Sequence, residues 1–206
     1  MNDFVSNCNL VDIDYFASLL APCMPRKSAD GAAKILLERY GTVENVLCAS
    51  PDDLCEMVGE IAAAAVKTLA AVTSRRVVDA FRFGAVHTRS EIADYFKALF
   101  IGSCVEKVYV MSFDKDARIL GCDMVGSGTV NLSEVLPRKI LESVSRTGAV
   151  AAVIAHNHPS GNTSASNEDI ALTAAVASIL ERAGLRLLYH CIIAGQYCNI
   201  LTTNGS

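Results

Sequence analysis

The chain has 206 residues, of which 51% are hydrophobic and 19% charged, and its formal net charge is −4. This composition excludes a disordered chain, and the length allows one large domain or two small ones. The acidic balance gives no electrostatic footprint for non-specific binding to nucleic acid or to an anionic membrane. The eight cysteines contain no Cys-x-x-Cys pair. They therefore predict neither a zinc ribbon nor a thioredoxin-like motif, and we expect reduced, mostly buried thiols.

Residues 1–80 carry helix signals almost exclusively. The segment SADGAAKILLERYG has apolar residues at helical spacing, and SPDDLCEMVG has Ser50 as N-cap with Pro51 at the first helical position. A longer helix is predicted for EIAAAAVKTLAAVTSRRVVDAF. We therefore predict a small all-α module over residues 1–80, followed by a linker over residues 81–89.

From about Ser90 the pattern changes to alternating helices and strands. An amphipathic helix, SEIADYFKALF, precedes the strands EKVYVMSF and RILGCDMV, and a helix with Pro137 near its start follows them. A buried strand, AVAAVIAH, a helix, SNEDIALTAAVASILERAG, and the strands LRLLYHCII and QYCNIL complete the pattern. This alternation predicts an α/β domain over residues 90–206, with a mixed sheet flanked by helices.

The amino-terminal residues lack the basic start and the long apolar stretch of a secretory signal. The longest apolar runs are too short to span a bilayer. We therefore expect a cytoplasmic protein without a membrane partner.

The segment AHNHPSGNTSASNEDI, residues 155–170, contains several side chains that can bind a metal ion. His156 and His158 are two residues apart at the end of a predicted strand, so both imidazoles can lie on one face. Asp169, in the first turn of the next helix, can supply the third protein ligand that a catalytic zinc site commonly has. A purely structural interpretation also exists, because Ser166 followed by Asp169 resembles a capping box.

The sequence has a pattern that is similar to the zinc motif of the JAMM metalloprotease fold, the JAB/MPN domain: His-x-His, then seven residues, then Ser-x-x-Asp. Within that fold, HNHPSG and EDI resemble the bacterial, UPF0758-like RadC family. The resemblance implies that His156, His158 and Asp169 bind one zinc ion per chain. It also implies that Ser166 helps to position or stabilise the oxygen of a tetrahedral intermediate. Glu106, just before its strand, matches the glutamate that serves as general base.

The resemblance thus implies a zinc-dependent hydrolase, a peptidase or isopeptidase that cleaves an amide bond in a peptide or protein substrate. The alternative is a non-enzymatic accessory protein of DNA repair or recombination, in which the zinc site is structural or vestigial. The complete set of ligands favours the enzyme.

The amino-terminal region of the family is similar to helix-hairpin-helix modules, whose Gly-hydrophobic-Gly hairpin can offer backbone amides to a DNA phosphate. This chain has Gly59, Glu60 and Ile61 at that place. Glu60 would repel phosphate, and Ile61 lacks the backbone freedom of glycine. We therefore expect weak DNA binding and a packing role for this hairpin.

Two other places differ from the common pattern of the family. Leu136, Pro137, Arg138 and Lys139 replace His-Pro-Arg-Glu, and Tyr189 precedes His190 where the family often has aspartate. These changes concern contacts around the ligands rather than the ligands. For His190 itself, a role in the core or beside a ligand is favoured over a fourth zinc ligand, because water needs an open coordination position.

Overall fold

A computed structural model describes residues 10–128 and 132–202. Their contacts divide the chain into two compact units. The first contains the residues up to Arg76 together with Ile101–Cys104, and the second contains Val77–Phe100 and the residues from Val105 onwards. The linker expected over residues 81–89 is thus part of the second unit.

The first unit is helical, as the sequence predicts. Its helices are α1 Leu10–Leu20, α2 Arg26–Tyr40, α3 Val43–Cys48 and α4 Pro51–Ala80, whose last residues belong to the second unit. Phe16, Leu36 and Leu54 are among the fully buried side chains of its core. The many small alanines of α2 and α4 that share this core allow the helices to pack closely.

The hairpin at Gly59 divides α4 into two helical segments. Gly59 has a φ of 81° and a ψ of 165°, a conformation that glycine adopts far more readily than other residues. Gly59, Glu60 and Ile61 are all exposed, Ile61 at 69%. These three residues are exposed, whereas Val58 and Ala62 on either side of them pack in the core of the unit, so the packing role of the hairpin stays a prediction.

The second unit is built on a five-stranded mixed sheet in the order β2-β1-β3-β4-β5. The strands are β1 Lys107–Phe113, β2 Ile119–Ser127, β3 Ala151–Asn157, β4 Arg186–Ala194 and β5 Tyr197–Leu201. β3 and β4 are parallel, and the other neighbours are antiparallel. This confirms the predicted fold class.

Helices cover both faces of the sheet. They are α5 Arg89–Phe100, α6 Leu132–Arg146 and α7 Asn167–Arg182. Phe96 of α5 shares a buried cluster with Val153 of β3, whereas Val176 of α7 shares another with Ile154. Because successive side chains of a strand point to opposite faces, α5 covers one face, and α6 and α7 cover the other. β3 is consequently buried along its whole length.

Helix α6 begins before the position expected from the sequence. Pro137 lies inside the helix. Proline is usually preferred in the first turn of a helix, where a missing backbone N–H leaves no helical hydrogen bond unformed. The buried side chains of Leu136 and Ile140 show that the apolar face of the helix extends across the proline. Burial of this face therefore outweighs the loss of one helical hydrogen bond.

The seven cysteines in the described part of the chain form no disulfide, but the expectation that most are buried is wrong. Only Cys191 is buried, whereas Cys23 and Cys55 are exposed. Cys23 lies in the turn after α1, and Cys55 lies on an outer face of α4. Within the described ranges, no helix combines the length and the apolar character needed to cross a membrane.

Candidate metal centre

The candidate site lies where β3 ends and the chain turns into α7. The N–H of His158 donates to the carbonyl oxygen of Ile193 at 2.8 Å, which continues the parallel pairing with β4 one residue beyond β3. A turn follows, in which the N–H of Gly161 donates to the carbonyl oxygen of His158 at 3.1 Å. Gly161 has a φ of 83°, a conformation that favours glycine. Strand pairing and turn thus fix the backbone on both sides of the His158 side chain.

The structure brings His156, His158 and Asp169 together. The Nε2 atoms of the two histidines are 2.8 Å apart, and Oδ1 of Asp169 lies 3.0 Å from Nε2 of His156. Oδ2 of Asp169 lies 3.4 Å from Nε2 of His158. His156 and Asp169 are buried, at 4% and 8% exposure. Among the residues that the structure describes, this is the single group of three or more His, Cys, Asp or Glu side chains with donor atoms within 4.8 Å of one another.

His158 is oriented by the loop that follows it. Its Nδ1 lies 2.7 Å from the carbonyl oxygen of Asn162. A carbonyl oxygen only accepts, so Nδ1 carries the hydrogen and donates it. With its single hydrogen on Nδ1, the ring can present the lone pair of Nε2 to His156 and Asp169.

His156 is oriented by a third histidine, His190, on β4. Nδ1 of His156 lies 2.7 Å from Nε2 of His190, whose own Nδ1 lies 2.7 Å from the hydroxyl of Thr173. His190 is fully buried, and burial, together with the neighbouring His156, lowers its pKa to about 3. Both ring nitrogens of His190 are engaged, so it contacts a candidate ligand and is not a fourth ligand itself.

Asp169 combines the capping interaction with an approach to the histidines. Its Oδ2 accepts the N–H of Ser166 at 2.8 Å and the hydroxyl of Ser166 at 2.7 Å, while its own N–H donates to that hydroxyl at 3.1 Å. Burial alone would raise the pKa of Asp169, but the close approach of His156 and the hydrogen bonds from Ser166 hold it well below its ordinary value. The carboxylate therefore stays ionised, with Oδ2 used in the cap and Oδ1 turned to His156.

The donor set fits a small cation. Nε2 of His158 and both oxygens of Asp169 offer lone pairs, and a single proton can lie between only two of the three residues. A cation can contact all three. Two atoms that each lie about 2.0–2.1 Å from a tetrahedral zinc ion are roughly 3.3 Å apart. The separations of 2.8 Å between the two Nε2 atoms and of 3.0 Å between Nε2 of His156 and Oδ1 of Asp169 are somewhat shorter than that value, and one donor atom from each of the three residues lies within 4.8 Å of the others. Two imidazoles and one carboxylate are also the ligands that catalytic zinc commonly has.

Glu106 lies directly before β1, is exposed, and is not in the group of close donor atoms. Val108 and His156 are the last pair of the antiparallel register between β1 and β3, and Glu106 lies two residues before Val108, at this end of the sheet. Asn157 holds this backbone on both sides of Glu106. Its amide oxygen accepts the N–H of Lys107 at 2.8 Å, and its amide nitrogen donates to the carbonyl oxygen of Val105 at 3.1 Å.

Sequence reasoning missed the roles of Asn157, Asn162 and Thr173. Thr173 is four residues after Asp169, so the two share a helix face, and this spacing was an available signal. Asn157 lies between the two histidines, but its partners are 50 and 52 residues away and depend on the strand register. Tyr189, which replaces a common aspartate, belongs to the cluster beneath α5, on the opposite face of β4 from His190. This replacement therefore leaves the contacts of His190 intact.

The mixed sheet and the His-His-Asp group at the end of β3 together define a JAB-type domain, a class that is compatible with a hydrolase and can bind zinc. A family model described as RadC-like JAB domain matches residues 86–205. A UPF0758 protein of Janthinobacterium sp. (strain Marseille) is 27% identical over 190 residues, which cover 91% of this chain and 85% of that protein. A UPF0758 protein of Bordetella avium (strain 197N) is 31% identical over 197 residues, which cover 92% and 87%. The chain therefore belongs to the RadC-like JAB-domain family, as its motif predicts.

Proposed function

We propose that this protein is a zinc-dependent hydrolase that cleaves an amide bond, as a peptidase or isopeptidase acting on a peptide or protein. The observation that carries the proposal is the approach of His156, His158 and Asp169, whose ring nitrogens and carboxylate oxygens lie 2.8 to 3.4 Å apart, a group that a single proton cannot bridge. When bound there, zinc supplies Lewis acidity, which lowers the pKa of water towards neutrality and polarises a carbonyl.

Glu106 is the general base in this proposal. The backbone on both sides of Glu106 is held by Asn157, which lies between the two histidines in the sequence, and the side chain of Glu106 is exposed. A carboxylate at this place can take a proton from water that attacks the substrate and later give it to the departing amine. The amide bond is then replaced by a carboxylate and an amine, without a redox partner or a covalent intermediate.

Ser166 has two uses in this proposal. Its hydroxyl now donates to Oδ2 of Asp169, and it is exposed at the edge of the site. A rotation about its side-chain bond would allow the same hydroxyl to donate to an oxygen of the substrate on which negative charge develops. Ser166 therefore stabilises the start of α7 in the free protein and supports the reaction when substrate is present.

The test measures metal content and hydrolysis separately in the full chain. Native mass spectrometry should find one zinc ion per chain, and His158→Ala should abolish its binding. His87→Ala is the matched control, because His87 is a histidine of the same unit outside the group, and it should keep the metal. A His158→Ala variant that retains one zinc ion would remove His158 from the site.

Hydrolysis is followed on a substrate found by proteomic comparison of extracts incubated with wild-type and His158→Ala protein. Glu106→Gln should retain zinc but lose hydrolysis by about 100-fold or more, the range for loss of a general base. Full activity in this variant would exclude the role of Glu106. Loss of zinc would instead make Glu106 a ligand.

The same experiment separates the hydrolase from an accessory protein of DNA repair or recombination. Zinc binding without cleavage of any substrate would favour the accessory function. The exposed Glu60 and Ile61 at the Gly59 hairpin place a negative charge and an apolar side chain where a DNA phosphate would approach. These side chains support the hydrolase over DNA binding by this hairpin.

A further inference from the structure

A chain of hydrogen bonds runs behind the candidate metal centre, from Asp169 through Thr173 and His190 to His156. The hydroxyl of Thr173 lies 2.6 Å from the carbonyl oxygen of Asp169 and 2.7 Å from Nδ1 of His190. Nε2 of His190 lies 2.7 Å from Nδ1 of His156. All four residues are buried. The His-x-His and Ser-x-x-Asp motif contains neither Thr173 nor His190.

The position of each hydrogen in this chain follows from its partners. Two oxygen atoms 2.6 Å apart must share a hydrogen, and only the threonine has one, so Thr173 donates to the carbonyl oxygen of Asp169. The hydroxyl oxygen then accepts from His190, whose Nδ1 must carry a hydrogen. His190 is fully buried, and its two ring contacts are a hydroxyl and an imidazole, which do not balance a positive charge.

A neutral His190 with its hydrogen on Nδ1 has an acceptor at Nε2. His156 must therefore donate from Nδ1, which leaves its Nε2 for an ion. Nε2 is the atom that lies 2.8 Å from Nε2 of His158 and 3.0 Å from Oδ1 of Asp169. The hydrogen-bond chain thus selects the form of His156 whose free nitrogen points into the donor group.

We propose that His190 is a positioning residue, which holds His156 in the form and ring orientation needed to bind zinc through Nε2, and that Thr173 holds His190 in the matching form. The part of this inference that concerns zinc rests on the proposed function. Thr173 and Asp169 belong to the same helix, whereas His156 and His190 belong to neighbouring strands. The chain of bonds therefore also fixes the distance between the ligand from α7 and the ligand from β3.

The hydrogen positions can be tested without metal. The chain has four histidines, so long-range ¹H–¹⁵N spectra of zinc-free, ¹⁵N-histidine-labelled protein can be assigned with single substitutions. His190 should carry hydrogen on Nδ1 and not on Nε2, and His156 should carry hydrogen on Nδ1. A hydrogen on Nε2 of His190 would overturn the inference, whether or not the protein is a zinc enzyme.

The effect on the metal is measured by competition with a chromophoric chelator. His190→Leu should lower zinc affinity by about 10- to 100-fold, the range for residues that orient metal ligands. His190→Gln, which retains one acceptor and one donor, should recover most of this loss. Thr173→Val should cause a smaller loss, because His190 remains but is less firmly held.

Tyr189→Phe is the control. Tyr189 is the buried neighbour of His190 on β4, and its hydroxyl has no hydrogen-bond partner among the described residues. This variant should bind zinc as the wild type does. A folded His190→Leu variant with wild-type zinc affinity would contradict the positioning role.

Thermal unfolding of the zinc-free variants separates positioning from a purely structural role. A structural role predicts lower stability and unchanged zinc affinity in the molecules that remain folded. If His190→Leu does not fold, Thr173→Val decides the question, because a several-fold loss of affinity supports the inference and unchanged affinity contradicts it. If the wild type binds no zinc, the proposed function fails, and the spectra of the zinc-free protein still decide whether the hydrogen-bond chain exists.

Discussion

Helices α5 and α7 begin with the same three hydrogen bonds, yet only α7 begins at a candidate metal centre. At α5, Oε2 of Glu91 accepts the N–H and the hydroxyl of Thr88 at 2.7 and 2.8 Å, and the N–H of Glu91 donates to that hydroxyl at 3.3 Å. At α7, the corresponding distances between Ser166 and Asp169 are 2.8, 2.7 and 3.1 Å. The local motif is therefore the same at both helices.

The two carboxylates differ in what surrounds their second oxygen. The side chain of Glu91 is 57% exposed, and the nearest histidine, His87, lies 3.9 Å from the oxygen that is already used in the cap. The side chain of Asp169 is 11% exposed, and its second oxygen faces His156 at 3.0 Å. A capping box and a metal ligand are thus compatible in one residue. Burial and the two histidines, rather than the capping pattern, distinguish the candidate site.

The largest expected difference between the two helix starts is in metal binding. Asp169→Asn should lower zinc affinity by more than about 100-fold, because loss of a ligand costs more than loss of a residue that orients one. Glu91→Gln alters the matching carboxylate of α5 but should leave the zinc affinity unchanged. Chelator competition measures both. Equal affinities in the two variants would show that Asp169 is only a capping residue.

The second expected effect is on stability, and it is somewhat smaller than the effect of Asp169→Asn on zinc binding: removal of the metal should lower the free energy of unfolding. At a free zinc concentration 100 times the dissociation constant, binding to the folded state contributes about 2.7 kcal/mol. Addition of a chelator should therefore lower the melting temperature of the wild type and of Glu91→Gln, but not that of Asp169→Asn. Calorimetry measures the shift. A chelator-induced shift in Asp169→Asn as large as that in the wild type would place the metal elsewhere.

The smallest effect concerns the caps themselves. Thr88→Ala and Ser166→Ala each remove the hydroxyl of an N-cap, which typically contributes about 1 kcal/mol to stability. Urea unfolding of the zinc-free protein should show similar losses in the two variants. Only Ser166→Ala should also slow hydrolysis. If both variants lose stability while neither changes hydrolysis, Ser166 acts in the cap alone.

The elements of the site that depend on local spacing could be predicted from the sequence. His156 and His158 are two residues apart at the end of a long apolar strand, and Ser166 and Asp169 stand at a helix start, so the placement within each pair follows from the strand period and the capping pattern. The contact between Thr173 and His190 could not be predicted in this way. It joins residues 17 apart and depends on how α7 packs against β4.

The position of Pro137 shows the same limit for the fold. Proline is a strong local signal for a first turn, but the start of α6 is decided by burial of an apolar face against the sheet. Likewise, the segments EKVYVMSF and AVAAVIAH predict that β1 and β3 are strands. Their antiparallel register, which brings Glu106 to the end of β3, depends on contacts between distant parts of the chain.

Asn157 holds the backbone on both sides of Glu106. The position of this backbone is therefore independent of the side chain that is proposed to react. Both hydrogen bonds end on main-chain atoms of Val105 and Lys107, so they do not depend on which side chain stands between them. Glutamine, alanine or serine at that place would leave the strand pairing and the His-His-Asp group in position. If Glu106 is the general base, as proposed, a single surface exchange would convert the hydrolase into a metal-binding protein of the same shape, and the reverse exchange would restore activity without a new fold.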